Sequence, residues 1–193
     1  MPKIINGVRE NAIKCAGELI ASGEYDSLPM RKIAERCDIA VGTLYNYFKS
    51  KEDLLLAVIN EDFEDALAVI DRDCLEAQNI SDGVCAICRG LRKFAEGPVG
   101  SKTATVMSGL GSLLGTDFEK KLRASVSERI EKVLLDHGYN HNRATTPAVT
   151  EVIISLSARC ELNIDSILLL LRTITEKLAR LNRIENANQL ADF

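Results

Sequence analysis

Apolar side chains recur along most of the chain at intervals of three and four residues, the spacing that places them on one face of an α-helix. This pattern runs through residues 4–22, 51–78, 117–137 and 164–184. The alternation typical of strands is nearly absent, and the chain contains only four prolines. The sequence therefore predicts an all-α protein of about nine helices, one of them a short helix in residues 100–115.

Two short helices are predicted between the first and second of these stretches. Met30–Cys37 has apolar or small side chains on one face, and Val41–Phe48 directs Leu44 and Phe48 inward, one turn apart. The three residues between the two helices fit only a tight turn. Short helices joined in this way form a helix-turn-helix, whose second helix enters the major groove of DNA. The sequence therefore predicts DNA binding through Val41–Phe48.

The outer face of Val41–Phe48 has the composition of a DNA-facing surface. Such a surface needs hydroxyl groups for phosphates, apolar area for thymine methyls and few carboxylates, and no acidic residue lies between Ile39 and Lys51. Lys51 begins the next helix, where Ser50 and Asp53 form a predicted capping box and where a cation and backbone N–H groups can bind one phosphate together. The candidate DNA contacts are Val41, Gly42, Thr43, Tyr45, Asn46, Tyr47 and Lys51.

The same stretch resembles the TetR family of bacterial transcriptional regulators. The resemblance is carried by Met30–Arg36, Gly42–Phe48 and Ser50–Leu54, and it extends back to Gly23–Tyr25. It implies that Thr43 contacts DNA, that Tyr45 touches base edges or a thymine methyl, and that Tyr47 and Lys51 touch phosphates.

Three positions depart from the family pattern. Asp38 replaces a frequent turn glycine, Ala40 replaces the usual serine cap of the second short helix, and Leu28-Pro29 replaces a Thr-Thr or Thr-Ser pair. Aspartate tolerates the left-handed backbone that glycine would supply. The lost serine cap costs about 1 kcal/mol of helix stability. These differences affect which DNA bases the protein would contact, but the helix-turn-helix motif itself is retained.

The resemblance also implies the architecture and the function. A three-helix DNA-binding head in residues 1–50 is joined by a long helix to a helical body in residues 51–193, which binds a ligand and forms a dimer. The implied function is that of a homodimeric regulator, most often a repressor, that binds a near-palindromic double-stranded operator and is released by a small organic ligand. The ligand and the operator sequence are not encoded in any recognisable motif.

A ligand cavity is expected, by the same resemblance, between the long helix and the helices that follow it. Its walls would be mostly apolar with a few polar anchors. The candidate lining residues are Phe63, Phe94, Thr103, Met107, Ser108, Leu110 and Phe118. For each of these the alternative is an ordinary core position.

The last helix is apolar on more than one side, because Leu168–Leu170 widen its stripe. A helix of this kind buries one side in its own body and another against a partner. Together with the helix that opens at Thr146-Pro147, it is expected to form a four-helix bundle with a second copy of the chain. The candidate interface residues are Val149, Val152, Ile153, Leu156, Ile167, Leu171, Ile174 and Leu178.

Charge is distributed unevenly along the chain. Residues 1–51 contain eight basic and six acidic residues, a net charge of +2, and the whole chain has a net charge of −4, which leaves −6 for the remainder. A mildly basic head on an acidic body fits a protein that touches DNA through one end. The weak basicity of the head favours a dimer, which doubles the phosphate contacts.

Two other interpretations stay open at this point. Cys85 and Cys88 share a helical face, so a thiol- or metal-responsive regulator is one alternative. The other is a helical interaction protein whose head binds a protein instead of DNA. A zinc site that pairs these cysteines with His137 and His141 would need about four times the usual ligand spacing.

Enzymatic chemistry has little support in the sequence. No phosphate-binding glycine loop, nucleophile elbow or metalloprotease motif is present, so no catalytic residue, cofactor or metal is predicted.

Neither a signal peptide nor a membrane-spanning run is recognisable, and a cytoplasmic protein with reduced cysteines is expected. Cys15, Cys37 and Cys160 are expected to be small core residues. Ser81, or Ser81-Asp82, is expected to cap a further helix that runs to about Glu96 and is ended by Gly97-Pro98.

Overall fold

The computed structural model describes residues 7–23, 29–101, 112–138 and 145–191. All regular structure in these residues is helical, as predicted, and it comprises eight helices. They are α1 (Val8–Ala21), α2 (Met30–Arg36), α3 (Val41–Tyr47), α4 (Lys51–Leu75), α5 (Ile80–Glu96), α6 (Ser112–Asp136), α7 (Thr145–Ala158) and α8 (Ile164–Ala191). Most of the short helix expected in residues 100–115 lies outside the described residues. No described helix is long and apolar enough to cross a membrane.

Several helix ends differ from the predicted ones. α1 begins at Val8, directly after Gly7, whose φ is 84°, and α4 ends at Leu75 instead of residue 78. α8 continues to Ala191, beyond the predicted end near residue 184. The apolar stripe that marked this helix stops earlier, and the remaining polar residues are good enough helix formers to continue it.

The chain divides into two compact units. The first contains the residues up to Glu64 together with the segment that starts at Gly97, and the second contains Asp65–Glu96 and the chain from Thr116 onward. The division falls inside α4, because the first part of this helix belongs with the helix-turn-helix. The core of the first unit includes Leu19, Ile33, Leu44, Leu54 and Phe63, which have no exposed surface.

Helix α5 forms the centre of the second unit. It packs against α7 and α8, and its glycines allow close approach to two further helices. A Cβ added to Gly90 would overlap Cγ1 of Ile70 in α4, and one added to Gly83 would lie 2.5 Å from Cγ1 of Val133 in α6. Seven of the eight residues 81–88 of α5 are almost wholly buried, and Asp82 is the exception.

Two local predictions are corrected by the structure. The cap of α5 is Asn79, whose Oδ1 accepts a hydrogen bond from the Asp82 backbone N–H at 2.9 Å, whereas Ser81 is buried and bonded to Thr175 at 2.7 Å. Cys160 is exposed and not a core residue, because α7 ends at Ala158 and leaves it in the following turn. Cys15 and Cys37 are half-buried.

The close approach at Gly90 gives a test of this packing. Gly90→Ala gains about 1 kcal/mol of helix propensity, but its methyl group overlaps Ile70, which is fully buried and cannot move away. We expect a net loss of about 1–2 kcal/mol of unfolding free energy, measured by urea denaturation. Gly42→Ala is the matched control, because nothing lies within 4 Å of a Cβ there, and it should be neutral or stabilising. Equal effects of the two changes would contradict the packing.

Candidate nucleic-acid interface

The turn between α2 and α3 depends on the backbone of Asp38. Its φ is 52°, and it is the one described non-glycine residue with a positive φ. The Asp38 N–H donates to Glu35 O at 3.2 Å, and the Ile39 N–H donates to Ala34 O at 3.0 Å. These bonds close the C-terminus of α2 in the manner of a left-handed helix cap. The expectation that aspartate takes the place of a turn glycine is confirmed.

Helix α3 is held by its inner face and open on its outer face. Leu44 and Phe48 are buried, with 0% and 2% of their surface exposed. Tyr45 and Tyr47 are 46% and 45% exposed. At Ala40 the helix has no side-chain cap, in agreement with the sequence.

The remaining candidate contacts lie on or near the same outer surface. Gly42 and Asn46 are exposed, and Val41 and Thr43 are half-buried. A side chain at Gly42 would meet no atom within 4 Å. The surface offered by α3 therefore combines two aromatic rings, an amide and a bare stretch of backbone, and it contains no carboxylate.

Lys51 is the first residue of α4 and follows the end of α3 by four residues. The Ser50 hydroxyl accepts a hydrogen bond from the Asp53 N–H at 3.1 Å, and the Asp53 carboxylate accepts one from the Lys49 N–H at 3.1 Å. The predicted capping box is therefore present, although its acidic residue reaches one position further back than expected. It fixes the first turn of α4, whose backbone N–H groups form a site for an anion such as phosphate.

One contact of the head was missed by the sequence analysis. The guanidinium of Arg9, at the start of α1, lies 5.7 Å from the centre of the Phe48 ring. A cation over an aromatic face is attracted by about 0.5–1 kcal/mol at an exposed site. Arg9 thereby connects α1 to the residue that ends α3. Residues of this kind cannot be found by helical periodicity, because they are polar and lie on the outer side of their helix.

Two other basic residues of the head are paired at its surface. Arg31 lies 3.1 Å from Glu35, and Arg36 lies 3.8 Å from Glu18. Exposed ion pairs stabilise a fold by at most about 1 kcal/mol. Their main effect here is to neutralise part of the basic charge of α2, which leaves α3 and the start of α4 as the better anion-facing region.

Three of the seven candidate ligand-lining residues lie among the described residues. Phe63 is buried in the first unit, while in the second unit Phe118 is buried and Phe94 is half-buried. Thr103, Met107, Ser108 and Leu110 lie outside the described residues. A groove of about 300 Å³ in the first unit is lined by residues that include Arg9, Ile13 and Ala57, and none of the seven lines it. The ligand site stays a prediction.

The candidate interface residues fall into two groups. Ile153, Ile167 and Leu171 are buried within the chain itself, because they lie on the sides of α7 and α8 that face α5. Val152 and Ile174 are 43% and 40% exposed, and Val149 and Leu156 are half-buried. The side chain of Leu178 is not among those that the structure describes.

Three exposed apolar residues near this surface were not among the candidates. Leu169 and Leu170 are 68% and 49% exposed, and Leu162, in the link between α7 and α8, is 39% exposed. The widened stripe at Leu168–Leu170 was the sequence signal for the first two. No periodic signal marks Leu162, because it lies between helices.

The thiols of Cys85 and Cys88 are buried in the second unit. Cys85 donates to Leu168 O at 3.7 Å, and Cys88 accepts a hydrogen bond from the Ser157 hydroxyl at 3.3 Å. Burial raises the pKa of both thiols. A raised pKa leaves little thiolate at neutral pH, and the thiolate is the form that reacts and binds metals. Among the described residues, no group of three or more potential ligands could hold a metal ion.

The state of these thiols can be measured by alkylation. Because burial raises their pKa and excludes reagent, we expect iodoacetamide at pH 7.5 to label exposed Cys160 at least tenfold faster than Cys85 or Cys88, as quantified by peptide mass spectrometry. The same experiment in urea is the control and should remove the difference. Labelling of Cys85 or Cys88 as fast as Cys160 in the folded protein would favour a thiol-responsive regulator.

The family comparison agrees with the geometry of the head. Residues 12–58 match the model of the bacterial regulatory proteins, tetR family. The HTH-type transcriptional repressor KstR of Mycolicibacterium smegmatis is 40% identical over 67 residues, which cover 35% of this chain and 33% of KstR. Matches of this kind span only about a third of the length of the curated relatives.

Solved structures resemble the chain over most of its length. FadR from Bacillus subtilis, solved in complex with stearoyl-CoA, has a TM-score of 0.61 at 18% identity and covers 84% of this chain and 96% of its own. RolR, solved in complex with resorcinol, has a TM-score of 0.59 at 19% identity and covers 92% of both chains. At this identity the likeness shows the fold alone. Residues 12–58 are therefore similar to the helix-turn-helix domain of the tetR family of bacterial regulatory proteins, and the chain shares its helical fold with FadR and RolR.

Proposed function

We propose that this chain is a cytoplasmic, homodimeric transcriptional repressor that binds a near-palindromic operator and releases it when a small organic ligand binds its body. The observation that carries the proposal is the presentation of Tyr45 and Tyr47 on the open face of α3, a helix held from behind by Leu44 and Phe48. Catalysis has no part in the proposed function.

DNA contact follows from the composition of the α3 surface. Tyrosine offers a hydroxyl for a phosphate oxygen and an apolar ring for a thymine methyl. The Tyr45 ring would reach base edges, and Tyr47 would lie against the backbone together with Lys51 at the start of α4. Gly42 lets the backbone of α3 approach the duplex closely, because no side chain stands there.

A second copy of the chain is the partner that best fits the body. Five of the nine exposed large apolar side chains in the described residues lie on α7, on α8 or on the link between them. They are Val152, Leu162, Leu169, Leu170 and Ile174. A two-fold dimer uses one such surface twice. It would also place two α3 helices on half-sites about 34–36 Å apart, or a multiple of that distance.

The class of effector is supported by the fold. FadR and RolR, which share this architecture, were solved with stearoyl-CoA and with resorcinol, so a helical body of this kind accommodates organic ligands of very different size. The ligand of this chain would release DNA only if it binds more tightly to the conformation whose heads are wrongly spaced.

The proposal is tested with an operator selected by the protein from random duplex DNA. We expect Tyr45→Ala and Tyr47→Ala each to weaken operator binding by at least tenfold. Lys51→Ala should also weaken it and reduce the slope of log affinity against log salt by about one unit, because one phosphate contact is lost. Lys120→Ala, which removes an exposed lysine from the body, is the matched control and should change neither quantity. Affinity is measured by fluorescence anisotropy at several salt concentrations.

The interaction-protein interpretation gives the opposite result. In that case the three changes in the head would leave DNA affinity and its salt dependence equal to those of the Lys120→Ala control. Failure to select any DNA sequence from the random library would contradict the proposal as well.

A further inference from the structure

We propose that Arg92 is a positioning residue for the link between α7 and α8 and, through that link, for the apolar surface that meets a second copy of the chain. The inference rests on the dimeric function proposed above. Arg92 belongs to α5, at the centre of the second unit, and only 4% of its surface is exposed. A charge so far from water is costly unless it makes specific contacts.

The guanidinium of Arg92 bonds to both ends of a short backbone segment. Its Nη2 donates to Leu156 O at 3.0 Å, and its Nη1 donates to Leu162 O at 3.2 Å. Leu156 lies in the last turn of α7, where carbonyl groups lack helical partners and carry the negative end of the helix dipole. Leu162 lies just before α8. One side chain of α5 therefore ties down the end of α7 and the approach to α8.

The link itself, residues 159–163, is a tight turn. The Arg159 N–H donates to Leu156 O at 3.3 Å, and the Leu162 N–H donates to Arg159 O at 3.0 Å. Asn163 then caps α8 by accepting a hydrogen bond from the Ser166 N–H at 3.1 Å. The carbonyl of Leu162 is thus held by Arg92 while its side chain remains partly exposed. The bond to Arg92 determines where this apolar side chain is presented.

Arg92 is the last of four polar contacts along one side of α5. Ser81 bonds to Thr175 at 2.7 Å, Cys85 donates to Leu168 O, and Cys88 bonds to Ser157. These positions are separated by four, three and four residues, so they share a face, and each of them contacts α7, α8 or the link between these helices. Directional bonds of this kind specify register more strictly than apolar contacts do. Arg92 is the one charged member and the one that reaches the link.

The environment of Arg92 indicates that this residue positions the link between α7 and α8 and contributes little to the stability of the fold. Its Nε has no hydrogen-bond partner among the described residues, and the carboxylate of Glu96 lies at 3.4 Å with 52% of its side chain exposed. Arg92→Met keeps the length of the side chain and removes the cost of burying a charge, while the exposed Glu96 stays hydrated. Replacing a buried charge by an apolar side chain is often neutral or stabilising. A purely structural role predicts a loss of folded protein; a positioning role predicts a selective loss of dimer.

The test measures dimer dissociation of the full chain by sedimentation equilibrium. We expect Arg92→Met to raise the dissociation constant at least tenfold while the helical circular dichroism and the protection of Cys85 and Cys88 from iodoacetamide stay unchanged. Arg89→Met, an exposed arginine on the same helix, is the matched control and should change the constant less than twofold. Arg92→Lys keeps the charge and one donor, so its constant should lie between those of wild type and Arg92→Met.

A double-mutant cycle separates positioning from an independent effect. Leu162→Ala should weaken the dimer several-fold, and adding it to Arg92→Met should weaken the dimer little further, because both changes remove the same contact. Additive effects, or an unchanged constant in Arg92→Met, would overturn the inference and leave the dimeric function standing. A wild-type chain that sediments as a monomer at operator-binding concentrations would overturn both. If Arg92→Met loses its helical signal, the cycle is run with Arg92→Lys.

Discussion

Leu44 of α3 and Phe48, the residue that follows this helix, lie about one helical turn apart, and both are buried in the head. A helix of seven residues is too short to be stable in water by itself, so α3 exists because these two side chains anchor it. Their burial also decides which residues face outward. Tyr45 and Tyr47 flank the buried line and are turned to solvent, and the Asp38 turn and the Ser50–Asp53 cap fix the two ends of the motif. The DNA-facing surface is thus a consequence of packing on the opposite side.

The helices of the body are held together by different interactions. Its central helix, α5, approaches α4 and α6 through glycines and is joined to α7 and α8 by hydrogen bonds in which Arg92 donates, Cys88 accepts and Ser81 shares a proton with Thr175. Close steric contact and directional hydrogen bonds both oppose sliding of α5 along the helices that pack against it. On the outward side of α7 and α8, the apolar side chains of Val152, Leu169, Leu170 and Ile174 stay exposed. The polar bonds of α5 fix the positions of α7 and α8, and these two helices carry the exposed apolar residues. This arrangement fits the proposal that α5 determines how the apolar surface is presented to a second copy of the chain.

The helix-turn-helix could be predicted from the sequence because its determinants are local. The spacing of Leu44 and Phe48, the three-residue turn and the Ser50 cap all lie within about one helical turn of the residues they control. The contacts of Ser81 and Arg92 could not be predicted in this way, since their partners are 94 and 64–70 residues distant along the chain. Cys160 was placed in the core on its apolar neighbours, although the helix ends two residues before it. The ligand site depends on how several helices meet, and helical periodicity does not distinguish a cavity wall from a filled core.

We propose that each subunit of a dimer contacts a major groove of DNA through the outer surface of its α3. A crystal structure of the chain bound to its selected operator tests this most directly. We expect two copies on one duplex, with each α3 in a major groove, the Tyr45 ring against base edges, and Tyr47 and Lys51 within contact distance of phosphates. A complex in which one copy binds alone, or in which α3 faces away from the duplex, would contradict it.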